Sequence, residues 1–200
     1  MSQMTDSAGT TTEARERRPG KRERLIAAAI ELLHQKGVER TTLADIATRA
    51  DVPVGNVYYY FKTKDDVITA VIDTHAKQVT DTLAAIDARH RTPKSRLKAL
   101  VRELAGQGDL VARYGCPLGS LCSELDKRIN GSSFDIGVLM QLPVAWAEEQ
   151  FRALGHRDAH DLALELLAAY EGSALLANTL RDPSIMSSAG RRLDRWIDTL

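Results

Sequence analysis

Apolar residues along this chain are spaced as in helices almost throughout. They recur at i, i+3, i+4 and i+7 in every long segment, which is the pattern of a helix that buries one face. Runs of β-branched residues are few, so the sequence predicts an all-α protein. The fifth predicted helix has a weak point at Gly106 and Gly108. The pattern predicts nine helices, with approximate bounds 21–36, 42–50, 53–61, 64–88, 93–113, 117–129, 133–154, 159–180 and 183–200.

Capping residues stand at the predicted helix ends. Thr42, Thr63 and Asp158 are N-cap residues, because a short side-chain oxygen satisfies an unpaired N–H of the first turn. Thr92 is followed by a proline, which suits the first helical position. Gly37 is a C-cap, since glycine readily adopts the conformation that ends a helix.

Between Thr41 and Lys64 the pattern gives two short helices joined by a tight turn. Leu43, Ile46 and Ala47 form an apolar stripe about two turns long in the first helix. Pro53 breaks the pattern, because it disfavours the helical conformation in the residue before it and suits the start of a new helix. This arrangement predicts a helix-turn-helix unit, whose second helix can enter the major groove of DNA.

The outer face of that second helix is unusual for a solvated surface. The chain is 27% charged, yet this face carries small, amide and phenol groups and no carboxylate. Lys62 and Lys64 follow it, so the surface suits contact with phosphates. The alternative is a capped helical corner with stacked tyrosines and no ligand. The residues of this face are Val54, Gly55, Asn56, Tyr58, Tyr59 and Tyr60.

The segment from Lys21 to Asp73, about a quarter of the chain, resembles the DNA-binding domain of TetR-family transcriptional regulators. Two residues depart from the family pattern. Asp51 replaces the usual glycine, but aspartate tolerates the left-handed conformation of such a turn. At the position of Pro53 the family often has serine. Proline lacks the hydroxyl and the N–H with which a serine could reach a phosphate. The matching residues are Thr42, Ile46-Ala47, Gly55-Asn56-Val57-Tyr58, Phe61 and Lys64.

This resemblance implies a homodimer that binds a pseudo-palindromic operator in double-stranded DNA through two such units. It implies dimerisation through the last two predicted helices, and helix eight is apolar on more than one face. Following the motif positions, the expected phosphate contacts are Thr42, Tyr58, Tyr60 and Lys64, with Lys21 and Arg22 in addition. The expected base contacts, at the tip that begins with Pro53, are Val54, Gly55, Asn56 and Tyr59.

The resemblance also implies a small-molecule effector bound in the larger C-terminal part. We expect its pocket among predicted helices four to eight. The alternative for each aromatic residue there is plain core packing. The candidate pocket residues are His75, Tyr114, Cys116, Leu118, Phe134, Met140, Trp146 and Tyr170.

Cys116 lies between Gly115 and Pro117, at a predicted helix N-terminus. Exposed N–H groups and the helix dipole at such a position lower the pKa of a thiol. The run Gly-Cys-Pro-Leu-Gly resembles a subgroup of the family in which a cysteine senses electrophiles or oxidants. The alternative is an inert, buried thiol.

Composition limits the remaining function classes. The 27 basic and 27 acidic residues cancel, so the chain is not a globally basic nucleic-acid binder, although Arg15 to Arg24 is locally basic. No apolar run approaches the roughly 20 residues of a membrane span, and no signal peptide is visible, so we expect a cytoplasmic protein without membrane contact. Cys116 and Cys122 lack metal-ligand spacing, and we expect no metal, no cofactor and no catalytic residues.

The predicted organisation is a disordered basic tail over 1–20, a helix-turn-helix domain over 21–66 and a ligand-binding and dimerisation domain over 67–200. The predicted function is a homodimeric repressor that a small molecule, either thiol-reactive or bound without reaction, releases from its operator. One alternative is an architectural DNA binder with a filled core. Another is an all-α enzyme that uses Cys116 as a nucleophile, although no histidine stands in a local catalytic pattern.

Overall fold

A computed structural model describes residues 19–127 and 135–200 of the chain. The described residues form ten helices and no strand, which confirms the all-α class. Most of the predicted tail, the end of the sixth predicted helix, the start of the seventh and Phe134 lie outside the described residues. The helices are α1 Lys21–Lys36, α2 Leu43–Arg49, α3 Val54–Tyr60, α4 Lys64–Arg89, α5 Pro93–Ala105, α6 Gly108–Tyr114, α7 Pro117–Asp126, α8 Val138–Ala153, α9 Ala159–Leu180 and α10 Ser184–Thr199.

The prediction of a single helix over 93–113 was wrong. The segment forms two helices, α5 and α6, which separate at Gly106. Glycine is a poor helix former. The second glycine of this segment, Gly108, also lets α6 approach the residue before α10 closely. A Cβ on Gly108 would lie 3.2 Å from the carbonyl oxygen of Pro183, just before α10. In α6, Val111 is fully buried while its neighbour Leu110, which points about 100° away around the helix, is 55% exposed.

Most predicted caps are confirmed. The side chains of Thr42, Thr63 and Thr92 each accept a hydrogen bond from the backbone N–H three residues later. Gly37 ends α1 with φ 85°, a conformation that favours glycine. Asp158 precedes α9 as predicted, but its side chain makes no capping hydrogen bond.

The helices enclose two large apolar clusters, and α4 contributes to both. The first cluster joins α1, α2, α3 and the N-terminal half of α4 with Leu121 and Leu125 of α7. The second joins Leu83 and Ile86 of α4 with α5, α8, α9 and α10. A smaller cluster around Val111 connects α6 with α9 and α10. The helix-turn-helix unit therefore packs on the same rigid helix that reaches into the C-terminal bundle.

Within the described ranges, no helix is both long and apolar enough to cross a membrane. The same residues contain no group of three His, Cys, Asp or Glu side chains that could hold a metal ion.

Candidate nucleic-acid interface and effector cavity

The N-terminus of α2 is fixed by a reciprocal pair of hydrogen bonds. The Asp45 N–H donates to Thr42 Oγ1 at 3.1 Å, and the Thr42 N–H donates to Asp45 Oδ2 at 3.0 Å. The Thr42 hydroxyl also donates to Asp45 Oδ2 at 2.7 Å, and this bond together with that from the Thr42 N–H holds the pKa of the Asp45 carboxyl below its usual range. Thr42 is exposed, so its side chain stands at the surface beside the start of α2.

The turn between α2 and α3 has the left-handed residue that the sequence predicted. Asp51 has φ 52°, which confirms that aspartate takes the place of the usual glycine. The Val52 N–H donates to the Ala47 carbonyl at 3.0 Å, and the Val52 side chain is buried. Both interactions stabilise the turn. Pro53 is the N-cap of α3 and not its first helical residue, one position from the prediction.

The face of α3 opposite the core points to solvent. Val57 and Phe61 anchor the helix, with 0% and 3% of their surfaces exposed. Tyr59 is 78% exposed, Tyr58 50% and Val54 45%. Gly55 has open space beyond its Cα, whereas Asn56 and Tyr60 are half-buried. The Tyr59 and Tyr60 rings meet edge to face with centroids 5.0 Å apart, which restricts their orientation.

Basic side chains border this face. Lys21 and Arg22 are exposed at the start of α1, and the Arg22 guanidinium lies 5.5 Å from the centroid of the Phe61 ring. Lys62 Nζ donates to the Tyr58 carbonyl at 2.6 Å. Lys64 is half-buried and its Nζ lies 3.4 Å from the Glu39 carbonyl oxygen. An ammonium group has three N–H donors, so Lys64 keeps donors available for a phosphate.

A cavity of about 400 Å³ lies in the C-terminal bundle between α4, α5, α8, α9 and the start of α7. Five of the predicted pocket residues line it, namely His75, Cys116, Leu118, Met140 and Tyr170. The polar residues of the cavity lining were not predicted from the sequence, because they lie far apart along the chain and form no local pattern. They are Gln78, Thr82, Glu103, Gln107 and Glu171.

Two predicted pocket residues lie elsewhere, and Phe134 is outside the described residues. Trp146 packs in the second apolar cluster, where its indole N–H donates to Asp87 Oδ2 at 3.0 Å. Tyr114 lines a separate polar cleft, with its ring 5.6 Å from that of His34. Both side chains occupy helix faces that turn away from the cavity.

Of the two interpretations of Cys116, the structure supports the buried thiol and contradicts a lowered pKa. Cys116 is the N-cap of α7, and its Sγ accepts from the Gly119 N–H at 3.4 Å as expected there. The thiol is only 6% exposed, and it donates to Glu171 Oε1 at 3.1 Å. Burial and the adjacent Glu171 carboxylate outweigh the helix N-terminus and raise the pKa of Cys116 to about 12. At neutral pH the group is a protonated thiol.

Burial also shifts the pKa of Glu171 and of His75, two further residues of the cavity wall. Burial raises the pKa of the Glu171 carboxyl, whose main polar contact is the Cys116 thiol. Gly119 leaves room for this carboxyl, since a Cβ there would lie 2.5 Å from Glu171 Oε2. Burial lowers the pKa of His75, so its ring is neutral at physiological pH.

Two hydrogen bonds join the start and the end of α7 to the C-terminal end of α1. His34 Nε2 lies 2.9 Å from the Gly115 carbonyl oxygen, one residue before Cys116. Glu124 Oε2 accepts from the Val38 N–H at 2.6 Å, just before the helix-turn-helix unit. The helix that borders the cavity is therefore bonded directly to the part of the chain that contains the helix-turn-helix unit.

One face of α9 is apolar and exposed. Leu164, Leu175, Leu176 and Leu180 are 46%, 67%, 54% and 64% exposed. Gly172 lies on the same face with open space around it. Several exposed leucines along one helix indicate a protein–protein contact.

Comparisons with known proteins agree with this architecture. A family model described as bacterial regulatory proteins, tetR family, matches residues 25–71. The transcriptional regulator AcuR of Cereibacter sphaeroides is 31% identical over 189 residues, which cover 88% of this chain and 84% of AcuR. The HTH-type transcriptional regulator TtgR of Pseudomonas putida is 25% identical over 205 residues, covering 95% and 92% of the two chains.

Solved structures show the same fold. A TetR transcriptional regulator from Legionella pneumophila superposes with a TM-score of 0.79 at 20% identity, over 88% of this chain and 97% of that chain. A regulatory protein TetR from Rhodobacter sphaeroides gives a TM-score of 0.72 at 25% identity, over 86% and 96%.

Proposed function

The chain belongs to the TetR family of DNA-binding transcriptional regulators, and from this premise we propose that it is a homodimeric repressor which a small molecule in the cavity releases from a palindromic operator. The relatives are named as regulators and the family is not enzymatic, so Cys116 is not a catalytic nucleophile. The single observation that supports DNA reading by this chain is the exposed, acid-free face of α3.

Within this proposal the DNA contacts divide into two groups. Asn56 and Tyr59 face the bases, since an amide pairs bidentately with adenine and a phenol ring packs on a thymine methyl. Thr42, Tyr58 and Lys64 hold phosphates and set the position of α3 on the duplex. Lys21 and Arg22 extend the phosphate contacts from the start of α1, where both side chains are exposed.

The test compares Asn56→Ala with Lys64→Ala on the operator and on random duplex, after operator selection from random DNA. Asn56→Ala should weaken operator binding by about 1–3 kcal/mol and leave binding to random DNA nearly unchanged. Lys64→Ala should weaken both alike and reduce the salt dependence of binding. Fluorescence anisotropy at several salt concentrations measures all four affinities. Equal losses on both duplexes for Asn56→Ala would exclude a base contact.

Dimerisation through α9 and α10 brings two such units to one operator. The exposed leucines of α9 support this, because a second copy would remove them from water. Half-sites then have to lie about one helical turn of DNA apart, or a multiple of it. We propose a DNA-binding domain at 21–66 and a ligand-binding and dimerisation domain at 67–200, with α4 crossing the boundary between them.

Effector release requires that a ligand prefer the conformation that fits DNA poorly. The cavity supports such a ligand, and it disfavours a ligand-independent architectural role with a filled core. The protonated, buried Cys116 supports a ligand that binds without a covalent bond. The bonds from Gly115 and Glu124 to α1 provide the route by which a shift of α7 reaches the helix-turn-helix unit.

A further inference from the structure

We propose that the cavity selects an effector with an apolar body and one cationic, hydrogen-bond-donating head group, and that Glu171 is the residue which binds that head group. This inference rests on the proposed function, since it names the chemical class of the molecule that the cavity receives. It follows from the placement of carboxylates in the cavity wall.

Glu171 lies half-buried in the wall, and residues 19–127 and 135–200 provide no counter-ion for it. Its hydrogen-bond partner is the Cys116 thiol at 3.1 Å, and among the described residues no Lys, Arg or His forms an ion pair with it. A carboxylate taken from water without a cationic partner is costly, which the raised pKa of this group reflects. A cation from the ligand would offset that cost.

The rest of the wall does not balance this charge. Glu103 of α5 supplies a second carboxylate, and the neutral ring of His75 supplies no positive charge. The described residues that line the cavity include no lysine and no arginine. A ligand carboxylate would therefore meet like charge, whereas an ammonium or amidinium group would meet opposite charge at short range.

The remaining residues of the lining determine the chemistry that the rest of the ligand must have. Between the polar groups the wall consists of aliphatic side chains from four helices, so it gains free energy by burying an apolar body. These side chains are Val79, Leu83, Leu100, Leu104, Met140 and Leu167. A volume of about 400 Å³ admits a compact molecule with a ring or short chain and one head group.

The experiment uses three probes with one apolar body and different head groups, namely phenylbutylamine, phenylbutanol and phenylbutanoic acid. Isothermal titration calorimetry on the full chain at neutral pH gives each affinity. We expect the amine to bind most tightly and the acid most weakly. Glu171→Gln keeps the shape of the side chain, and it should weaken amine binding by about 10- to 100-fold while changing alcohol binding little.

Two further variants make the result specific. Glu103→Gln should weaken amine binding to a smaller extent, because this side chain is exposed. Glu149→Gln changes an exposed glutamate of α8 that does not line the cavity, and it should leave all three affinities unchanged. Circular dichroism verifies that each variant is folded.

Tighter binding of the acid than of the amine, absence of amine binding, or an unchanged amine affinity in Glu171→Gln would each overturn the proposal. Operator binding in the presence of the amine tests the proposed function separately. An amine that binds through Glu171 but does not release DNA would uphold the assigned ligand class and refute effector-driven release.

Discussion

The hydrogen bond between Glu124 and the Val38 N–H offers a direct test of the link between the two halves of the chain. Glu124→Ala removes the carboxylate that accepts this bond at 2.6 Å and leaves a buried N–H without a partner, since Val38 is only 1% exposed. Hydrogen bonds to charged groups contribute about 1.5–3 kcal/mol. Glu124 itself is half-buried, so water weakens the bond, and we expect a loss of about 1–2 kcal/mol in the free energy of unfolding.

Urea denaturation followed by circular dichroism measures this loss. Glu149→Ala is the matched control, because it makes the same substitution near the C-terminal end of another helix. Helix propensity and dipole effects are therefore similar in the two variants, and only the tertiary hydrogen bond differs. The control should stay within about 0.5 kcal/mol of the wild type. Equal stability of the two variants would show that the bond does not join α7 to α1.

The same variant tests signal transmission. If α7 carries the effector signal, Glu124→Ala should reduce the change in operator affinity that phenylbutylamine causes, while amine affinity at the cavity stays nearly constant. The ratio of operator affinities with and without the amine gives the coupling free energy. An undiminished ratio would assign transmission to α4 alone.

Three further outcomes follow from the geometry. Leu175→Arg should shift the chain toward monomer and weaken operator binding, whereas Leu110→Arg, an exposed leucine of α6, should do neither; analytical ultracentrifugation checks both. Cys116→Ser should remain responsive to a non-covalent effector in the anisotropy assay, and loss of that response would restore a role for the thiol in sensing. Hydrogen bonds from Thr42 and Thr63 lower the pKa of Asp45 and Asp66, so their stabilising effect is present above the ordinary pKa of about 4 and is lost as pH falls through the lowered value. NMR titration of these carboxyls checks the direction, and values at or above the ordinary pKa would contradict it.

Features determined by neighbouring residues were predictable from the sequence. The bounds of α1 and α9 and the caps at Thr42 and Thr63 follow from apolar spacing and short polar side chains. The left-handed conformation of Asp51 follows from the chemistry of aspartate in turns. In each case the interaction that decides the structure lies within four residues.

Features that depend on distant contacts were not predictable. The pKa of Cys116 is set mainly by burial and by Glu171, which lies 55 residues away along the chain, and not by the adjacent helix N-terminus. The break before α6 coincides with the close approach of Gly108 to Pro183. Trp146 points toward Asp87 because of how α8 packs against α4, which no local pattern reveals.

Helix α4 explains how a ligand in a small cavity can alter DNA binding by a distant surface. Its residues Val67 and Ile68 belong to the DNA-binding core, while Val79 and Leu83 line the cavity. Lys64 and Val79 are 15 positions apart, which corresponds to about 22 Å at the rise of an α-helix. A tilt of roughly 5° about the cavity would therefore move the first turn of α4 by about 2 Å. Hydrogen bonds to phosphates tolerate only a few tenths of an ångström, so in the proposed dimer such a tilt in both protomers would break phosphate contacts at the two half-sites. Under the proposed function, a ligand would need only to shift the packing around Val79 and Leu83 slightly, because the length of α4 would convert that shift into a misalignment of α3 with the major groove.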